Sequence, residues 1–157
     1  RTGVNLEAAT VLRLFRDVPN IVAVKEASGN LLQVSEIVAG APEGKLVFSG
    51  DDGLLLPILS VGGAGIVSVT SHLVGRDMKA LITAHMDGSP SNAARLHARM
   101  LPIVRACFQP TTPSPVPLKA ALAMMGLCGP TVRPPLAEAG ERESDLVRTA
   151  MRDYGLI

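Results

Sequence analysis

The stretch that decides the fold is "IVAVKEASGN", residues 21–30. Ile21, Val22, Ala23 and Val24 form an apolar run that leads straight into Lys25 and Glu26. Such a run reads as a short strand, Ile21 to Lys25, buried on both faces as strands of parallel sheets are. Lysine is the residue such a strand should least accommodate. Desolvation there would favour the neutral amine over the ammonium. A neutral amine is a nucleophile towards a ketone, and the protonated imine it forms is an electron sink. The competing reading is a strand-end lysine that reaches past the apolar run into solvent.

Helices and strands alternate on either side of this stretch. Asn5 to Asp17 has helical spacing, with Leu6, Val11, Leu12, Leu14 and Phe15 largely on one side and Asn5 as the N-cap. Asn30 to Ala39 reads as a second helix, Leu46 to Phe48 as a second strand and Leu54 to Val61 as a third helix. Gly65 to Val69 reads as a third strand and Asp77 to Met86 as a fourth helix. Short apolar strands recurring every ~20 residues between helices predict an α/β fold with a parallel sheet and right-handed crossovers. After residue 88 the strand pattern stops. Ser89 and Pro90 read as the cap and first turn of a long helix with the stripe Ala93, His97, Met100, Leu101, Val104, Cys107 and Phe108. The proline-rich "QPTTPSPVP" follows, then helices at Leu118 to Met125 and Glu141 to Tyr154. The domain reading is therefore 1–88 as an α/β part and 89–157 as a helical part.

The chain has 157 residues, 47% hydrophobic and 18% charged, with a formal net charge of +1. That is enough apolar material for a sizeable core. Basic blocks and aromatic–basic interleaving of the kind that binds nucleic acid are missing, as are a secretory apolar segment and a run near membrane-span length. Cys107 and Cys128 lie far apart without metal-ligand spacing and read as small hydrophobes in helices, which fits a reducing cytoplasm. Two features point to a longer polypeptide. "RTGVNL" at residues 1–6 reads as the middle of a chain, and three parallel strands leave sheet edges without cover.

Other residues at strand ends are candidates for chemistry, because parallel α/β folds gather it at the carboxyl ends. "SGDDG", residues 49–53, closes the second strand. Gly50 would let a ligand approach the backbone. Asp51 or Asp52 could act as an acid or base, although Asp52 also reads as the N-cap of the helix near Leu54. "GGAGIVSVTS", residues 62–71, turns tightly into the third strand and brings Val67 to Thr70 to the same rim. It follows no strand, so it is not a nucleotide-binding fingerprint. His72 falls in the loop after that strand, while His85 and His97 fall on helices. None has metal-ligand spacing, and no metal site is expected.

Taken together, "RTGVNL", "PNIVAVKEASGN", "SGDDGLLLP" and "GGAGIVSVTS" resemble the C-terminal half of the dihydrodipicolinate synthase (4-hydroxy-tetrahydrodipicolinate synthase) family. This family belongs with N-acetylneuraminate lyase among the pyruvate-dependent class I aldolases. The similarity runs the length of the chain, through the proline-rich segment before "LKAAL" to "VRPPL" at 132–136. It implies a (β/α)8 TIM barrel, of which these would be strands six to eight, followed by a small helical C-terminal domain. It implies that Lys25 is the Schiff-base lysine, that Arg1 contacts the carboxylate of the aldehyde substrate, and that the Val67 backbone contacts the pyruvate moiety with Gly50 beside it.

The implied reaction condenses pyruvate with aspartate semialdehyde, in the cytoplasm, on the way to lysine, diaminopimelate and cell-wall precursors. It takes no metal or organic cofactor, since the lysine is itself the electron sink. The implied assembly is a homo-oligomer, dimer or tetramer. The family also uses a tyrosine just before R-T-G, an early threonine pair and a second tyrosine donated across a subunit interface. All of these would precede Arg1, and Tyr154, the one tyrosine here, does not match them. Two rivals remain at this stage. One is another member of the superfamily, a 2-keto-3-deoxy sugar-acid aldolase or N-acetylneuraminate lyase. The other is a non-catalytic half-barrel.

Overall fold

The computed structural model describes residues 3–157. Its elements run α1 (Ala8–Asp17), β1 (Ala23–Glu26), α2 (Leu31–Gly40), β2 (Leu46–Ser49), a 3₁₀ turn (Asp52–Leu54), α3 (Leu55–Ser60), β3 (Gly65–Ile66), α4 (Ser71–Met86), α5 (Pro90–Cys107), α6 (Val116–Met124) and α7 (Glu141–Tyr154). The three strands form one parallel sheet in chain order. Lys25 pairs with Phe48, and Phe48 with Gly65. The alternation read from the sequence thus gives the predicted parallel neighbours. Two compact units are distinguished. One runs through Ser68 and takes back His85–Gly88, and the other comprises Val69–Ala84 and Ser89–Ile157.

In the first unit, α1 and α2 cover one face of the sheet. Their apolar stripes meet the strand residues that alternate towards them, in a core of Val11, Phe15, Val34, Ile37, Val47 and Ile58. The opposite face is bare among the described residues. Leu46 is 45% exposed and, on the chain just past β3, Val67 is 50% exposed. The expectation of strands buried on both faces is therefore corrected: only one face has helices over it. In the second unit α5, α6 and α7 pack pairwise, around Ala93, Met100, Ile103, Cys107, Val147 and Met151. Among the described residues, no helix is long and apolar enough to cross a membrane.

Several local expectations are also corrected. Asn5 does not cap α1. The cap position is Glu7, without a side-chain bond, and the Asn5 amide turns to Glu7 Oε1 and Gln33 Oε1 instead. Asp51, not Asp52, caps the turn after β2, accepting from the Gly53 N–H at 2.9 Å, while Asp52 is buried. Ser89 makes no side-chain cap to α5. Leu96 and Ile103 replace His97 and Leu101 in the buried stripe of that helix, and Phe108 lies 40% exposed past its end. His72 is in α4, which begins earlier than the spacing predicts, because the polar "TSH" starts a turn that bends at Val74 before the amphipathic stretch. Cys107 is buried in α5 as expected, but Cys128 is exposed beyond the end of α6.

The sheet geometry carries a prediction. Among the described residues β1 and β3 each have a strand on one side only, and unpaired edges next to exposed apolar side chains invite intermolecular pairing. Expressed as these 157 residues alone, the chain should self-associate. Light scattering coupled to size exclusion should give polydisperse species, and a monodisperse monomer that unfolds cooperatively would contradict this.

Candidate active site

Side chains alternate across β1, so Val24 and Glu26 share the helix-covered face and Lys25 takes the other. The consequence is an exchange of roles relative to expectation. Lys25 is exposed, and Glu26, 6% exposed, is the buried charge. Burial of Lys25 within the chain was expected and is not found, because nothing among the described residues lies over its face of the sheet.

The neighbours of Lys25 are specific. Gly50 directly follows β2, and its N–H donates to Glu26 O at 2.7 Å, continuing the β1–β2 ladder by one step. The Lys25 side chain lies across this glycine. A Cβ placed on Gly50 would sit 2.8 Å from Lys25 Cε, 3.1 Å from Lys25 Cγ and 2.7 Å from Ala27 Cβ. Cβ atoms essentially never come within 3.0 Å of a neighbour, so a side chain at residue 50 would have to displace the lysine chain or Ala27. On the far side, the Val67 N–H donates to Ser49 O at 2.8 Å, extending the β2–β3 pairing past the end of β3. Lys25, Gly50 and Val67 therefore stand at the carboxyl ends of three successive parallel strands. Arg1 lies outside the described residues.

A cavity of about 670 Å³ opens beside Lys25, and its lining includes Lys25, Glu26, Ala27 and Ser28 together with Gly3, Val4, Asn5 and Leu6. Glu26 and Gln33, which also line it, belong to a polar network that sequence reading missed. Glu26 Oε1 accepts from the Ser28 N–H at 2.6 Å and Oε2 from Gln33 Nε2 at 2.8 Å. Two such charge-assisted bonds are what allow a carboxylate to stay buried. The signal available in the sequence was Gln33, a polar residue among the apolar residues of the helix's first turn.

The remaining candidates lie elsewhere or are already engaged. Lys45 is at the amino end of β2, where Nζ donates to Pro19 O at 3.1 Å and Ile21 O at 2.6 Å. Lys119 donates to Thr131 O. His97 sits in the second unit, where burial pushes its pKa down. Among the described residues, no group of three His, Cys, Asp or Glu could hold a metal ion.

Tyr154 is committed to the second unit. Its hydroxyl donates to Asp77 Oδ2. Arg99 pairs with the same oxygen at 3.5 Å and stacks 4.5 Å from the ring centroid. Burial raises the phenol pKa well above its ordinary value, the Asp77 hydrogen bond and charge raise it further, and Arg99 opposes them. A raised phenol pKa means that the folded chain keeps a proton the unfolded chain loses. The stabilisation is complete below the unfolded value of about 10 and drains away as pH climbs through the folded value. Thermal melts of the protein should show stability falling above pH ~10, and Tyr154→Phe should remove that component. An unchanged alkaline slope in the variant would refute the assignment.

A family-level model described as the Dihydrodipicolinate synthetase family matches residues 1–153. Among curated proteins, the 4-hydroxy-tetrahydrodipicolinate synthase of Desulforamulus reducens is 47% identical over 157 residues, covering 100% of this chain and 52% of the relative. That of Bacillus subtilis is 48% identical over 143 residues, covering 91% of this chain and 49% of the relative. Among solved structures, DHDPS from Cyanidioschyzon merolae, crystallised with lysine bound, superposes with a TM-score of 0.95 at 41% identity, covering 100% of this chain and 52% of that one. Dihydrodipicolinate synthase from Thermotoga maritima gives 0.95 at 32% identity, covering 100% and 54%. The chain thus spans about half the length of the relatives it matches.

Proposed function

Since the chain belongs to the dihydrodipicolinate synthetase family, we propose that it supplies the lysine-bearing half of a lyase that condenses pyruvate with aspartate semialdehyde. The observation that carries this reading is the Lys25 side chain laid across Gly50 at the carboxyl rim of a parallel sheet.

Lys25 Nζ, as the free amine, attacks C2 of pyruvate. Water leaves, and the nitrogen and C2 are joined as a protonated imine. The imine draws electrons from C3, a methyl proton departs, and an enamine forms. C3 then attacks the aldehyde carbon of the semialdehyde, whose oxygen takes up a proton. Finally the amine of the condensed substrate attacks C2, closing the ring and returning Lys25 to its starting state. Arg1 would hold the semialdehyde carboxylate, and the Val67 and Gly50 backbones would border the pyruvyl group. Strands β1 to β3 would be the sixth to eighth of a TIM barrel, with residues 1–88 as its second half and 89–157 as a helical C-terminal domain. The missing wall over the Lys25 face would then come from the barrel's other strands, and would supply the desolvation that this chain alone does not. The assembly would be a homo-oligomer in the cytoplasm.

The relatives carry the synthase name rather than that of a sugar-acid aldolase or neuraminate lyase, which favours aspartate semialdehyde over the aldehydes of those enzymes. The test is turnover by a protein of the relatives' full length carrying this chain. With pyruvate present, aspartate semialdehyde should be consumed at least ~100-fold faster than N-acetylmannosamine, the scale of discrimination a dedicated polar site supplies. Equal or reversed preference would move the protein to another branch of the superfamily.

A further inference from the structure

Beside Lys25, three side chains that take no part in the chemistry connect the lysine strand to the segment that follows Arg1. Glu26, next to the lysine, accepts from Gln33 Nε2 at 2.8 Å. Gln33, 5% exposed in the first turn of α2, is aimed by Asn30, whose Oδ1 accepts from the Leu32 and Gln33 N–H groups. The Gln33 amide then meets that of Asn5 reciprocally. Asn5 Nδ2 donates to Gln33 Oε1 at 2.7 Å, and Gln33 Nε2 reaches Asn5 Oδ1 and Leu6 O, each at 3.2 Å. Gly3 to Leu6 lie in neither helix nor strand, yet they line the same cavity as Lys25.

We propose that Glu26, Gln33 and Asn5 are positioning residues for the aldehyde substrate. They fix the Gly3–Leu6 segment against the lysine strand, and so set the distance between the carbon activated on Lys25 and the group that holds the aldehyde's carboxylate. The inference rests on the functional reading above. Pyruvate is tethered covalently to a residue that the sheet already fixes, so its binding does not depend on this clamp. On the functional reading above, the aldehyde's carboxylate is held by Arg1, which stands in the sequence just before this segment, so its binding does. The buried Gln33 amide, held by Glu26 on one side, spends its remaining bonds on Asn5 and Leu6 of this segment, which is more than helix capping requires, since Asn30 already provides that.

Two variants of the full-length protein test this, with steady-state kinetics in each substrate and borohydride trapping of pyruvate. Asn5 is exposed, so Asn5→Ala should leave the fold intact. Gln33→Leu removes the centre of the clamp. Each should raise KM for aspartate semialdehyde about tenfold, as expected when a substrate-positioning group is loosened. KM for pyruvate and the yield of trapped adduct should stay within about twofold, because uniform binding of the first substrate is untouched. A structural role alone would shift both substrates together or only the melting temperature, and either result overturns the proposal. So does an unchanged KM for the aldehyde. If Gln33→Leu fails to fold, Asn5→Ala decides. If the unsubstituted protein traps no pyruvate, the functional reading fails and this inference falls with it. A normal adduct with an unmoved aldehyde KM sinks this inference alone.

Discussion

Replacing Lys25 by arginine in the full-length protein should reduce turnover by on the order of 10⁴-fold or more, the scale seen when a covalent nucleophile is removed. The reason is chemical rather than steric. Arginine fills similar space and keeps the charge, but its guanidinium is not deprotonated in proteins and cannot form the imine. The other lysines cannot take over. Lys45 stands at the opposite rim with two backbone carbonyls on its ammonium, Lys119 is held by Thr131 O, and Lys79 is on the exposed side of α4. Because the helix-packed core lies on the other face of β1, the substitution leaves that core in place and the variant should still unfold cooperatively. Initial rates with both substrates check the first expectation and a thermal melt the second. A Lys25→Arg protein with near-normal turnover would remove the lysine from the mechanism.

Gly50→Ala should also be damaging, although it adds a single methyl group. That methyl would lie 2.8 Å from Lys25 Cε and 2.7 Å from Ala27 Cβ. Of the two, the lysine is the one free to move, so the amine is displaced from its seat while the core behind the sheet is undisturbed. A misplacement of about 1 Å in a reacting group is enough to cost roughly 10²-fold in rate. We expect a loss of that order in kcat/KM together with slowed adduct formation, and a stability change within the ~1–3 kcal/mol typical of overpacking. Gly129→Ala is the matched control, since a Cβ there meets nothing within 4 Å, and it should be silent in both assays. Equal behaviour of the two alanine variants would mean that Gly50 does not seat the lysine.

The sequence made the topology legible because each strand is a short apolar run set between stretches of helical period. That pattern survived translation into three parallel neighbours in chain order. The carboxyl-end placement of Lys25, Gly50 and Val67 was legible for the same reason, since each falls at or just after a strand end. Which face Lys25 takes was not. A run such as "IVAV" is apolar at every position, so it carries no alternation from which to tell inward from outward. In the fold, Glu26 shares the helix-covered face with Val24. The polar clamp escaped for a related reason. Asn5 reads as a helix cap when taken alone, and its true partner lies 28 residues away, beyond the reach of local rules. Asp51 and Asp52 are adjacent and chemically alike, so the exchange of capping between them turned on backbone geometry that composition does not encode. Cys128 lies exposed past the end of α6, where Gly126 takes a positive φ; the helix read over Leu118 to Met125 already stopped short of it, so placing the cysteine in a helix did not follow from the spacing.

The most direct test of the central claim is borohydride reduction of the full-length protein with pyruvate present, followed by peptide mapping. Reduction of the imine should leave pyruvate's carbon skeleton attached through C2 to Lys25 Nζ and to no other lysine, with no such mass in a control lacking pyruvate. A pyruvyl-derived mass on Lys45, Lys79 or Lys119, or none on any lysine while the protein still turns over pyruvate and aspartate semialdehyde, would contradict the account.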